Sequence, residues 1–328
     1  MSASIILTQI IIIFLLILVG AVLYKLKIVN EDGSRQLSGI VVNVTNPAVL
    51  ICSAITDSEK EPLGDLLLAL LCFVGVFAVL MIVAYLLPLL LYVEKGDRYS
   101  YRMLTLFGNV GFIGIPLASA LLGSKSLIYI SVCNLVFNFL AYTYAYSQIE
   151  AAARRQKAEA EPSMLLPTGD NRDIRPAAKR SPLRMLLNAG TVSCIITIIL
   201  YVSDIHVPDV FSQTLDYCGK ATTLLSMLVL GTTLAQMVPK ELFTHWKLYF
   251  FVVIRQIIIP ILIILAFKPL IKSELLLAVI AIEFSVPAAN TPLMFSKQLG
   301  AREDTIAHGI LMTTLFSLIT IPLVFLFL

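Results

Sequence analysis

Charge is scarce in this chain of 328 residues. Asp, Glu, Lys and Arg make up only 14% of it, against about 25% in soluble domains, while 58% is hydrophobic. A soluble fold of this length cannot hide so much apolar surface. A soluble enzyme, a nucleic-acid binder and a disordered chain are therefore excluded. Cysteine is sparse too. Cys52, Cys72, Cys133, Cys194 and Cys218 are odd in number, lie in or beside apolar runs and form no CxxC pair, so neither a disulfide framework nor a zinc site is expected. His206, His245 and His308 are the three histidines, none in a ligand spacing. There is no HExxH, no GxSxG, no P-loop and no dinucleotide fingerprint. No catalytic residue, metal ligand or cofactor is expected, and the chain does not read as an enzyme. The N-terminus lacks the basic region and cleavage site of a signal peptide, so the first apolar run reads as a retained helix.

What is present is a series of apolar runs near the ~20 residues that span a bilayer. Ten are expected, at about 5–24, 36–55, 65–92, 101–122, 127–147, 184–202, 215–237, 246–267, 273–298 and 304–328. Eighteen of the 24 basic residues fall in alternate connections on one side, five fall on the other, and Arg255 lies inside a span. The richer side reads as cytoplasmic, which places both termini outside and requires an even helix count. The polar connection 150–183 divides the chain into five spans (1–149) and five more (184–328). Its first part reads as an extension of helix 5 and the rest, with Pro162, Pro167, Pro176 and Pro182, as a tether.

Five is odd, so related halves would form an inverted repeat. Helix 4 carries G-N-V-G-F-I-G-I-P-L from Gly108, with Asn109, Gly111 and Pro116. Helix 9 carries S-V-P-A-A-N-T-P-L from Ser285, with Pro287, Asn290 and Pro292. Each is the fourth helix of its half. Proline removes a backbone donor, and unpaired backbone in lipid costs several kcal/mol per group. Broken helices are thus tolerated only beside protein or a water-filled cavity. Two in matching places point to a midplane binding site, where half-helix N-termini suit an anion. Asn43, Asn46 and Pro47 on helix 2, and Asn134 and Asn138 on helix 5, are further polar candidates. Asn43 and Pro47 share a face by their spacing of four. Helix 7 adds Thr222, Thr223 and Ser226. For each such residue, helix–helix contact and pathway lining both remain open. Two formal charges lie within spans. Glu283 and Arg255 read either as a structural pair or, for Glu283, as the site of proton or cation coupling. Asp216 and Lys220 read as a surface pair.

In order and spacing these motifs resemble those of the auxin efflux carrier family, which includes plant PIN carriers and bacterial malate or malonate permeases. N-V-G-F-I-G-I-P-L, P-A-A-N-T-P-L-M-F-S-K, the R-Q-I-I-I-P of helix 8 (Arg255 to Pro260) and L-S-G-I-V-V-N-V-T-N-P-A-V-L (Leu37 to Leu50) carry the resemblance. The resemblance implies an all-α polytopic membrane protein of ten helices in two inverted repeats, similar to bile-acid/sodium symporters. It implies a scaffold of helices 1, 2, 6 and 7, and a transport domain of helices 3–5 and 8–10 moving elevator-fashion. It also raises a bracing role for Arg255. The short central loop favours a bacterial-type member. The expected function is secondary transport of small organic anions across the plasma (inner) membrane, with H⁺ or Na⁺ coupling open and a homodimer open. A membrane sensor and an anion channel are the alternatives.

Overall fold

In a computed structural model, residues 3–56, 61–160, 186–203, 205, 207–236 and 246–328 are described, without the side chains of 3–7 and 160. Among them there is helix and no strand; a single antiparallel bridge joins Gly108 to Ala288. In chain order, α1 is Ala3–Lys25. α2 runs through Glu31–Ile40, a π turn at Val41–Thr45, and Asn46–Thr56. α3 is Leu63–Leu90. The next segment is broken into α4a (Arg98–Leu106) and α4b (Ile115–Leu122), the latter preceded by a π turn at Val110–Gly114. α5 passes through Ser126–Leu140, Ala141–Ala145 and Tyr146–Ala160, the middle piece being a π turn. α6 is Ala189–Ser203 and α7 is Asp209–Gln236. α8 passes through Trp246–Val253, a π turn at Ile254–Ile258, and Ile259–Phe267. A second broken segment gives α9a (Glu274–Ser285) and α9b (Thr291–Leu299), and α10 is Asp304–Phe325.

Seven of these helices (α1, α2, α3, α5, α7, α8 and α10) are long and apolar enough to cross a membrane; α6 has 15 residues. The chain is thus a multi-pass membrane protein. Two helices begin earlier than hydropathy alone suggests. At α2, the Asn30 side chain accepts the Gly33 N–H at 2.8 Å, and Glu31 and Asp32 fill the first turn, so cap chemistry sets the start. α7 starts at Asp209, directly after Pro208. Residues 161–185, most of the expected tether, lie outside the described residues.

Three of the four π turns among the described residues end two positions before a proline: Thr45 before Pro47, Gly114 before Pro116 and Ile258 before Pro260. A proline ring clashes with the carbonyl four residues back and offers it no donor. One extra residue in the preceding turn re-aims that carbonyl without ending the helix.

α1 packs along α7, and α2 packs on α6 and α7. The α1–α7 contact is close enough that a Cβ on Gly231 would stand 2.0 Å from the Ile17 carbonyl oxygen, and one on Gly20 2.4 Å from that of Leu228. α3 packs on α4a and α5, while α8, α9a and α10 pack on one another. Phe73, Phe77, Phe107, Phe137 and Phe284 fill the space around α3, α5 and the two breaks.

Candidate functional site

The two broken segments cross, and their unwound backbones satisfy each other. Asn109 N–H donates to the Pro287 carbonyl at 2.7 Å, and Ala289 N–H donates to that of Phe107 at 2.9 Å. Ala288 N–H donates to the Thr313 hydroxyl of α10 at 3.1 Å. Asn109 itself lies at φ −81°, ψ 61°, an inverse γ-turn closed by Val110 N–H on the Gly108 carbonyl. Its side-chain oxygen then accepts the Phe112 N–H at 3.2 Å and caps the π turn leading into α4b. Pro292 occupies the first turn of α9b, where the missing N–H costs nothing, while Pro116 follows the π turn that leads into α4b.

These diversions leave two helix-end carbonyls without their usual donors. Thr105 would ordinarily receive the N–H of Asn109, and Phe284 that of Ala288; both donors are engaged elsewhere. Arg255, 1% exposed, takes both: Nε donates to Thr105 O at 2.8 Å and Nη1 to Phe284 O at 2.7 Å. A cation at two helix C-termini is also favoured by both helix dipoles. The guanidinium therefore braces the crossing, and the expectation that Arg255 pairs with Glu283 is not met. Glu283 is 1% exposed and neither carboxyl oxygen has a hydrogen-bond partner. It packs on Gly114, where a Cβ would stand 2.6 Å from Oε1.

A cavity of about 120 Å³ opens against the crossing, on the side of the bundle where α2 begins, α5 ends and α6 begins. Asn46, Asn109, Asn134, Asn138 and Asn290 all line it, together with Gly111, and among the described residues no charged one does. Asn46 donates to the Gly111 carbonyl at 3.1 Å, which leaves its Oδ1 buried and unpartnered. Asn109 has the opposite deficit: its oxygen is used, and Nδ2 is a buried donor without an acceptor. The Oδ1 of Asn290 is also unpartnered. The cavity is thus lined by asparagines and by the starts of two half-helices, and just beneath its surface lie a buried amide donor and two buried amide acceptors with no partner among the described residues, an array suited to a small polar molecule.

Asn43 is not part of it. The residue is exposed and its amide donates to the Gly39 carbonyl at 2.8 Å. The spacing argument assumed an unbroken α-helix, and the π turn holding Asn43 breaks that register. Asn188, not anticipated, lines the cavity and caps α6 by accepting the Thr191 N–H at 3.0 Å. An Asn just ahead of an apolar run was the available signal. Gln256 and Thr313 were also missed; both are buried, with Gln256 Nε2 donating to the Thr313 carbonyl at 2.9 Å. Asp216 and Lys220 form the exposed pair expected, at 2.5 Å.

Long apolar helices around two broken segments and an amide-lined cavity define a multi-pass membrane protein of the transporter class. The model of the membrane transport protein family matches residues 5–325. The chain belongs to that family, the family of the auxin efflux carriers. It is 26% identical to an uncharacterized transporter of Methanocaldococcus jannaschii, over 96% of both chains. It is also 25% identical to an uncharacterized transporter of Methanothermobacter thermautotrophicus, over 35% of this chain and 38% of the other.

Proposed function

We propose that the protein is a secondary transporter of small organic anions, carboxylates such as malate, malonate or auxin-like acids, working by elevator-type alternating access. The observation that carries the reading is the crossing itself: two interrupted helices bring Asn109 and Asn290 to the wall of one cavity, each with a buried amide atom that has no partner among the described residues. A carboxylate accepts from Asn109 Nδ2 and from the positive ends of the half-helices; a hydroxyl or acid proton on the substrate donates to Asn46 and Asn290.

In this reading ten helices cross the plasma (inner) membrane as two inverted repeats, with both termini extracytoplasmic, as the distribution of Lys and Arg argues. The packing of α1 on α7, and of α2 on α6 and α7, supports a scaffold distinct from α3–α5 and α8–α10. Glu283 carries the coupling ion. A buried carboxylate with no donor is stable only when neutralised, and a proton or a Na⁺ ion supplies that neutrality.

Uptake of radiolabelled malonate, malate and indole-acetate into proteoliposomes tests the site. Asn109→Ala is expected to abolish uptake of whichever acid is carried while the folded yield is kept. Normal uptake by this variant refutes the assignment. Glu283→Gln is expected to remove the dependence on an imposed pH or Na⁺ gradient, and an unchanged dependence takes Glu283 out of the coupling.

A further inference from the structure

A second and larger cavity, about 330 Å³, lies at the opposite end of the same helices. Its walls come from the last turns of α2 (Val49, Cys52, Ser53), from α4b (Ile115, Pro116, Ser119) and from the first half of α7 (Gly219, Lys220, Thr222). The volume falls within the range of small-molecule pockets, ~300–1,000 Å³. The lining is partly polar: the exposed Asp216–Lys220 pair stands at its rim, and deeper in are Ser53, Ser119 and Thr222, the last 2% exposed with a buried hydroxyl that has no partner among the described residues.

The two cavities meet at one residue. Ile115 lines both, and it is 2% exposed. On α2 its neighbours divide between them, Leu50 facing the asparagine cavity and Val49 the larger one. That part of α2 is held firmly against α7, since a Cβ on Gly219 would stand 3.0 Å from the Val49 Cα. Ile115 has a different anchorage: it begins α4b, just after a π turn and the unwound stretch.

We propose that the larger cavity is the second half of the translocation route, and that Ile115 is the plug separating it from the asparagine cavity. The plug closes by dewetting, as hydrophobic constrictions do. Movement of α4b past Val49 and Leu50 carries the crossing from one cavity to the other. The inference rests on the transport reading, but its test needs no substrate.

Single-cysteine variants at Ser119 and Asn138, in protein with the five native cysteines replaced, are reconstituted in oriented vesicles. A membrane-impermeant anionic thiol reagent is then added from one side or the other. Ser119→Cys and Asn138→Cys are expected to label from opposite sides, each from one side only. Adding Ile115→Ala is expected to abolish that sidedness at both positions. Where Ile115→Ala yields no folded protein, Ile115→Thr, which keeps the β-branch, is one methyl shorter and brings a hydroxyl to the constriction, is expected to do the same. Labelling of both positions from one side, or sidedness that survives the Ile115 substitutions, overturns the proposal. Correct sidedness in a protein that carries no organic anion would refute the substrate and keep the route.

Discussion

Replacement of Arg255 by Met tests the account of the crossing most directly. The guanidinium donates to two carbonyls whose own donors have been diverted, Thr105 O at 2.8 Å and Phe284 O at 2.7 Å. Met fills similar space with no donor. Each carbonyl left unsatisfied in a buried site costs about 1–3 kcal/mol, so the pair costs about 2–6 kcal/mol. Removing the buried charge offsets part of this, because its desolvation is no longer imposed. Lys keeps the charge, but a single ammonium cannot span two carbonyls as a planar fork does. The expected order of stability is therefore wild type, then Arg255→Lys, then Arg255→Met. A shift of about 2–4 °C per kcal/mol holds for domains of 150–250 residues, and a larger chain shifts less, so Met should lower the midpoint by several degrees. Thermal unfolding of purified protein in detergent, read by thiol-reactive or intrinsic fluorescence at a fixed scan rate, measures it. Uptake should fall in parallel, because the asparagine amides are positioned by the backbone that Arg255 braces. An Arg255→Met protein with an unchanged midpoint and normal uptake would refute the bracing argument.

Gly231→Ala places a methyl 2.0 Å from the Ile17 carbonyl oxygen, so α1 and α7 must separate; a lower unfolding temperature and reduced folded yield are expected, measured by fluorescence-detected size exclusion. Gly114→Ala drives a methyl to 2.6 Å from Glu283 Oε1, and the expected result is altered gradient dependence of uptake with the substrate KM less affected, read in the same proteoliposomes. Thr313→Val removes the acceptor for Ala288 N–H and leaves that donor buried; a loss of about 1–3 kcal/mol should appear as a lower midpoint, while Thr313→Ser retains the wild-type value.

The fold was legible in the sequence where one physical signal dominated. Long apolar runs located the helices, and Gly111, Pro116, Pro287 and Pro292 located the breaks, because lipid permits unwound backbone only under special conditions. The broken segments appear as α4a/α4b and α9a/α9b, with Pro116 and Pro292 in matching first turns. Five of the six candidate asparagines meet in one cavity, since a polar side chain in an apolar helix has few places to face. Asn43 shows what hydropathy cannot carry. Its orientation depends on a π turn, and Pro47 announces a disturbance without saying whether the helix kinks, stops or widens. Glu283 and Arg255 illustrate a second limit. Neighbouring spans and opposite charges suggested a pair, but the carbonyls that capture Arg255 become available only when the other broken helix takes the donor of Thr105 and Thr313 of α10 takes that of Phe284. That competition is set by tertiary contacts and leaves no trace in local spacing.

The crossing also explains why its polar atoms are left over in so ordered a way. Every backbone group of a broken helix in lipid must find a partner, and here several partners are side chains: Asn46 on Gly111, Asn109 on Phe112, Thr313 on Ala288 and Arg255 on two helix ends. An amide has both a donor end and an acceptor end. Once one end is committed to the backbone, the other is fixed in direction and cannot rotate to relieve itself. Asn46 is therefore left with a buried acceptor and Asn109 with a buried donor beside the same cavity, with no freedom to exchange. The interactions that close the broken backbone thus also fix the asparagines beside the cavity, so in the proposed site little ordering cost remains when a ligand arrives. In the proposed transport cycle, a lining with amides and, among the described residues, no charge holds an anion without a full ion pair, which favours release on the far side over tight capture.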